Sequence, residues 1–363
     1  MFGGGSTNSQ PQWGNNKTTD TNDCYWENGP EDTITQIRFS NVQNYEQDPQ
    51  FISTSSWDGT VKVWEVNSTY NAIQSKFQGE TQMDHWVFGH CWSADNSYLF
   101  GAVADNSVKM WDLKSNSVTK IGEHSSWVKD VHYSEKHNIV LSTGWDGHLK
   151  FWDLKSNSPC FDVNLEPLKI WSFSYSDPLL VGALSDNSIF VMNMDNILRT
   201  GSGKPEQVLP SPLKFQTRSV EAFPTALGYT VTSIEGRCGV KNINFNDMRE
   251  KYNEDFNFKC HRKPDTASNV YSVHQTAFNA KYMTFMTCGG DGSYCIWDKD
   301  KRKRLKATNG CDAPITACRM SLNGKYAAYA FGYDWSRGCN GAGSCPSGLF
   351  IHPTIEKEIK SSS

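Results

Sequence analysis

Polar and apolar side chains alternate along this chain in short runs, and no long stretch repeats an apolar residue every third or fourth position. VKVW at 61–64 and LKFW at 149–152 each interleave a lysine with apolar residues, the period of a half-buried strand. Each run follows a turn signal, in SSWDGTVKVWEV at 55–66, AVADNSVKMWDL at 102–113 and TGWDGHLKFWDL at 143–154. Asp-Gly and Asp-Asn tolerate the positive φ of a tight hairpin. Weaker copies follow as ALSDNSIFVMNM at 183–194, TSIEGRCGVKNI at 232–243 and GGDGSYCIWDKD at 289–300, and FGYDWSRG at 331–338 is a distorted seventh. Their acidic turn residues are Asp58, Asp105, Asp146, Asp186, Glu235, Asp291 and Asp334, spaced 47, 41, 40, 49, 56 and 43 residues apart.

Such a period marks a unit that cannot bury its apolar faces alone and must pack against neighbours. The turn Asp followed six residues later by Trp matches the WD repeat, four strands to a blade. Seven units predict an all-β, seven-bladed β-propeller spanning 21–358. Residues 1–20 are mostly Gly, Ser, Asn, Thr and Gln, which predicts a disordered polar tail; it carries a single FG pair, Phe2-Gly3. Residues 359–363 are expected to be a C-terminal tail. The last unit, PITACRM, YAAYAF and GLFIHP, supplies three strands only. A three-stranded blade would expose an edge, so CYWE at 24–27 is the candidate fourth strand. The stretches 195–212 and 245–255 read as surface loops.

Composition agrees with this fold. The 363 residues include 13 Trp, 14 Tyr and 19 Phe, the large side chains that blade-on-blade packing needs. Eleven cysteines, an odd number without a C-x-x-C pair, and an N-terminus without an apolar run predict an intracellular, reducing setting with no membrane insertion. Cys260 and His261 are adjacent, but no further ligands stand at zinc spacing. No metal, cofactor or small-molecule substrate is expected.

His124, Ser142 and Asp146 could suggest a hydrolase triad, but the repeat explains them better. In WD repeats a His, a Ser or Thr, the turn Asp and the Trp form one buried hydrogen-bond network. Here these are His124, Ser142, Asp146 and Trp152, and the sixth unit repeats them as His261, Thr287, Asp291 and Trp297. Two copies at repeat spacing imply architecture, not catalysis. The second unit has Asp84 near the His position, which predicts a weaker network.

Three stretches exceed what blades require. WDKDKRKRLK at 297–306 sets six Lys and Arg after Trp297 against Asp300, beyond the Asp298 of the repeat itself, on a chain of net charge −4. It reads as a solvated turn between third and fourth strands, or as a patch for phosphates. In FNFKCHR at 256–262, alternation places Phe256 and Phe258 on one strand face, as buried packing or as a surface for stacked bases. In SIEGR at 233–237, Arg237 beside the turn can hold a carboxylate or phosphate.

Together with YDWSRG at 333–338, these motifs resemble, in order and place, the Rae/Gle family of nuclear-pore RNA-export propellers, over about residues 22–355. The resemblance implies a non-enzymatic adaptor of mRNA export that binds a GLEBS-type nucleoporin hairpin and single-stranded RNA. It also implies residence in the nucleus, at the nuclear envelope and pore complex, shuttling to the cytoplasm, and a part at the mitotic spindle. Carried over by position, the RNA groove would involve Arg237, Phe258, Trp297, Asp298, Lys299, Arg302 and Arg304, with Arg237 also at the partner peptide. Trp297 would then serve both a buried network and an open groove. The Bub-type spindle-checkpoint propeller also has SIEGR and FKCHR, and LKFQTRSVEAF at 213–223 is similar to it, so a checkpoint scaffold that binds GLEBS-like kinase segments is the alternative.

Overall fold

The computed structural model describes residues 23–44, 47–69, 72–156, 158–243, 255–262, 269–341 and 345–361. The 1–20 tail and all of 245–255 except Asp255 lie outside the described residues. Within them the chain forms seven four-stranded antiparallel sheets. The innermost strands of successive blades lie side by side, and that of blade 7 (Ile315–Met320) returns to that of blade 1 (Ile34–Phe39), closing a ring. The turn residues do what their chemistry predicts: Asn106, Asn187, Gly59, Gly147 and Gly292 all adopt positive φ. No helix of the described residues is long and apolar enough to cross a membrane.

Large side chains fill the seams between blades. Leu141, Leu149 and Phe151 of blade 3 pack with Phe173, Leu180 and Phe190 of blade 4, all buried, and each such burial contributes about 1.5–3 kcal/mol. Trp152 of blade 3 reaches Gly122 of blade 2, where a Cβ would come within 2.3 Å of the indole.

Both expected networks form. His124 Nδ1 lies 3.0 Å from Asp146, Nε2 lies 2.7 Å from Ser142 Oγ, and the Trp152 indole donates to the same Oγ at 2.8 Å. In blade 6, His261 spans Asp291 at 2.8 Å and Thr287 at 2.9 Å, and Trp297 donates to Thr287 at 2.9 Å. One tautomer, with the proton on Nδ1, satisfies every group, since the hydroxyl then donates to the ring and accepts from the indole. Ser142 and His124 do have triad-like contacts, but they are 0% and 3% exposed, so no substrate reaches them. Blade 2 uses a different solution: buried Lys109 is held by Asp84 at 2.8 Å and Asp105 at 2.9 Å. An ion pair replaces the histidine network there. In blade 7, Asp334 is not a hairpin residue; it lies in a long connection and meets His274 of blade 6 at 3.3 Å.

Every innermost strand carries a bulge at the same place, after its first residue. The residues left without a partner are Thr35, Phe88, Lys129, Trp171, Arg218, His274 and Thr316, and all seven line the mouth of the central channel. A bulge re-aims a side chain. Here it turns one residue per blade toward the axis.

Two expectations need correction. Residues 195–212 are not only loop: Met194–Thr200 is a helix, capped by the Asn193 side chain and ended by Gly201 in the left-handed region, and Gln207–Pro210 is the outer strand of blade 4. The helix buries only Met194 and Ile197, too few positions to show a period. The C-terminal tail also begins later than 359, because helix Glu356–Ile359 docks on blade 6, with Ile359 buried and its carbonyl accepting from Thr284 at 2.8 Å.

Cys24–Tyr25 does complete blade 7, pairing with Gly348–Pro353. His352 sits behind this junction, 2.7 Å from Asp23 and 3.0 Å from Glu358, with Lys306 at 2.8 Å. Burial pulls the His352 pKa down, but its hydrogen bonds to the two carboxylates outweigh burial and hold it above the ordinary value. A histidine raised on folding stabilises fully below its unfolded pKa of about 6.5 and loses that contribution as pH rises through the folded value. Buried His90, His124, His132 and His274 are shifted the opposite way, so the contribution of His352 is read as a difference: the gap in urea midpoint between wild type and His352→Gln should be full below about pH 6.5 and shrink above it. Ser142→Ala strands two buried groups and should lower stability by about 1–3 kcal/mol in the same assay.

Candidate nucleic-acid interface

The seam between the outer parts of blades 5 and 6 is built from two facing strands. Phe256–Lys259 is the outermost strand of blade 5; alternation turns Phe256 and Phe258 toward blade 6 and leaves Asn257 and Lys259 exposed. Both rings are half-buried on a closed cluster that includes Phe223, Cys238, Phe278 and Phe285. Across the seam, Trp297 is next to last in the third strand of blade 6, Tyr294–Asp298, and meets Phe258 with ring centroids 4.5 Å apart. Its indole N–H points inward to Thr287 while its ring stays half-exposed. One residue thus serves both the network and the surface.

The basic turn then folds over these rings. Asp298 accepts the backbone N–H groups of Asp300 and Lys301, both at 2.9 Å, and the Ser361 hydroxyl. Burial raises its pKa, but these hydrogen bonds hold it below the usual carboxylate range. Its role is to shape the turn. Arg302 lies 4.9 Å over Phe256, Lys299 5.3 Å over Phe223 and Arg304 6.0 Å over Trp297. Each cation is held against a ring face, an attraction of about 0.5–1 kcal/mol at such exposed sites. Arg302 and Arg304 are exposed, whereas Lys299 is mostly covered and pairs with Asp300.

Arg237 stands apart from this group. It opens its strand at the WD-turn end, opposite Lys259, and alternation directs it to the sheet face away from Phe258. The basic turn lies at the other end of the blades, about 17 Å along a strand of this length. Arg237 instead pairs with Glu235 at 3.3 Å. Arg262 fastens the same turn, donating to the Glu235 carbonyl at 2.7 Å. Cys260 is buried and burial drives its thiol pKa well up, while His261 is committed to its network, so neither is placed as a metal ligand. Phe256, which alternation had placed on the same face as Phe258, lies under Arg302. Phe223, under Lys299, escaped the sequence reading, because it stands in a turn of blade 5 and meets the basic turn only through the fold.

The chain matches the family model "WD domain, G-beta repeat" at residues 24–65, 75–112 and 115–153, which are its first three units. It is 33% identical over 371 aligned residues to the mRNA export factor rae-1 of Caenorhabditis elegans, covering 98% of this chain and 95% of the relative. The chain belongs to the Rae/Gle family of mRNA export factors. Other members are the Poly(A)+ RNA export protein of Schizosaccharomyces pombe, at 32% identity with 91% and 90% coverage, and the mRNA export factor of Bos taurus, at 35% with 93% and 90%. The Rae/Gle propellers are non-catalytic adaptors, in keeping with a sealed Ser142.

Replacing Trp297 with Phe keeps the ring in the seam and removes one hydrogen bond to Thr287. The expected cost is about 1 kcal/mol, read as a lower urea midpoint with near-wild-type packing of Phe258.

Proposed function

We propose that this protein is an adaptor of mRNA export that holds single-stranded RNA in the seam between blades 5 and 6. The observation that carries this reading is the pairing of Arg302, Lys299 and Arg304 each with an aromatic ring beside Phe258 and Trp297. Half-exposed rings accept stacked bases and the cations track a phosphate chain. With a net charge of −4, such attraction comes from local patches and not from the chain as a whole. The names of the relatives support export as the process.

The partner on the other surface is a GLEBS-type nucleoporin hairpin, met at the WD-turn end where Arg237 stands. Its Glu235 contact is an exchangeable one for an acidic segment. The protein then works in the nucleus, at the nuclear envelope and pore complex, and shuttles to the cytoplasm with its cargo. A spindle-checkpoint scaffold is the second reading, supported by LKFQTRSVEAF at 213–223, which is similar to the Bub-type propeller. Competition between nucleoporin and checkpoint-kinase GLEBS peptides separates the two, and preference for the kinase peptide would favour the scaffold.

Changing Lys299, Arg302 and Arg304 together to Glu should abolish RNA binding in the seam and leave nucleoporin-peptide affinity intact. Because each phosphate contact on a single strand contributes about 0.7 to the slope of log K against log salt, the variant should also lose most of that slope. Unchanged RNA affinity at moderate salt would overturn the seam as the RNA site.

A further inference from the structure

The mouth of the central channel, at the WD-turn end, is a second aromatic and basic site, separate from the seam. It encloses about 500 Å³, within the range of small-molecule pockets. Its wall is a continuous run of rings: Trp57 and Trp127 each pack on Phe88 at 5.3 and 5.8 Å, Trp127 on Trp145 at 4.9 Å, and Trp145 on Trp171 at 5.2 Å. The Trp145 indole N–H is buried and has no acceptor among the described residues.

Two of the seven bulged residues, Lys129 and Arg218, bring cations into this space. Arg218 is exposed to the channel, touches His274 at 3.4 Å and forms no ion pair among the described residues. Lys129 reaches only the neighbouring Asp130, at 3.7 Å. Asp334, the carboxylate among the described lining residues, meets His274, which burial keeps neutral, so it stays ionised and offsets part of the cationic charge. A tryptophan-walled cup of this volume with two cations at its wall suits a planar aromatic ligand that carries an anion.

We propose that the channel mouth binds a single nucleotide unit, its base stacked on the tryptophan wall and its phosphate held by Arg218 and Lys129. An acidic peptide is the weaker fit, because two cations meet few carboxylates while most of the wall is π surface, which stacks on bases. The unit comes either from a free nucleotide or from the end of a single strand; the chemistry is shared. This site does not depend on the seam being the RNA groove.

Calorimetric titration of the full chain tests it with adenosine 5′-monophosphate, adenosine, inorganic phosphate, a 5′-phosphorylated tetranucleotide and a hexaglutamate peptide. The monophosphate, the tetranucleotide or both should bind saturably; the tetranucleotide alone identifies a strand end, the monophosphate a free nucleotide. Adenosine and phosphate should each bind at least about tenfold more weakly, since each lacks one half of the recognition. With the seam disabled by the Lys299, Arg302 and Arg304 charge reversal, nucleotide binding at the channel mouth should remain, and adding Arg218→Gln, or Lys129→Gln should the first not fold, should weaken it by about tenfold. Preference for hexaglutamate, absence of binding by both nucleotides, or loss of binding only in the seam variant would overturn the proposal.

Discussion

The ring closes where the two ends of the chain share one blade, and here the fourth strand of that blade is two residues from the far end of the chain. Cys24 and Tyr25 hydrogen-bond to Gly348–Pro353, and Trp26 follows them into the core at 1% exposure, edge-on to Trp64. Every seam then transmits the closure, because each blade's apolar face is satisfied only by its neighbour. His352 binds the junction to both chain ends through Asp23 and Glu358. The position of the basic turn follows from the same constraint, since Ser361, just beyond the docked C-terminal helix, is bonded to Asp298.

Rigid seams make good surfaces for binding because the groups they present are already in place. Trp297 shows how one residue can serve the buried network and the proposed site together without conflict. Its indole N–H satisfies Thr287 inside while its ring, half-exposed, faces Phe258 and Arg304. The rotamer that the network fixes is the one the surface uses. In blade 3 the equivalent Trp152 has the same bond but is 2% exposed, because its ring packs down on Gly122 of the blade 2 outer strand. What distinguishes the two is the neighbouring outer strand, not the network.

Much of this was legible from the chain alone, and the parts that were not share a cause. Local chemistry gave the turns, since Asp-Gly and Asp-Asn announce positive φ, and alternation put Phe256 and Phe258 on one face. Contacts between blades have no local signal. Lys109 took the place of a histidine network through Asp84 and Asp105, Asp334 turned to His274 of another blade, and Arg237 faced away from the aromatic seam by a single step of alternation. The helix at Met194–Thr200 buried too little to be heard.

The inward bulges carry a different lesson. Because the extra residue in each inner strand has no place in the ladder, its side chain is free to do something other than pair within its own blade. Thr35 donates to the Val87 carbonyl of blade 2 at 2.7 Å, Thr316 to the Ile34 carbonyl of blade 1 at 2.9 Å, and His274 meets Asp334 of blade 7, so these three fasten neighbouring blades around the axis. Among the described residues Lys129 reaches only Asp130 of its own strand, and Arg218 has only its 3.4 Å contact with His274; at these two positions the charge at the axis can change while the disc keeps its shape.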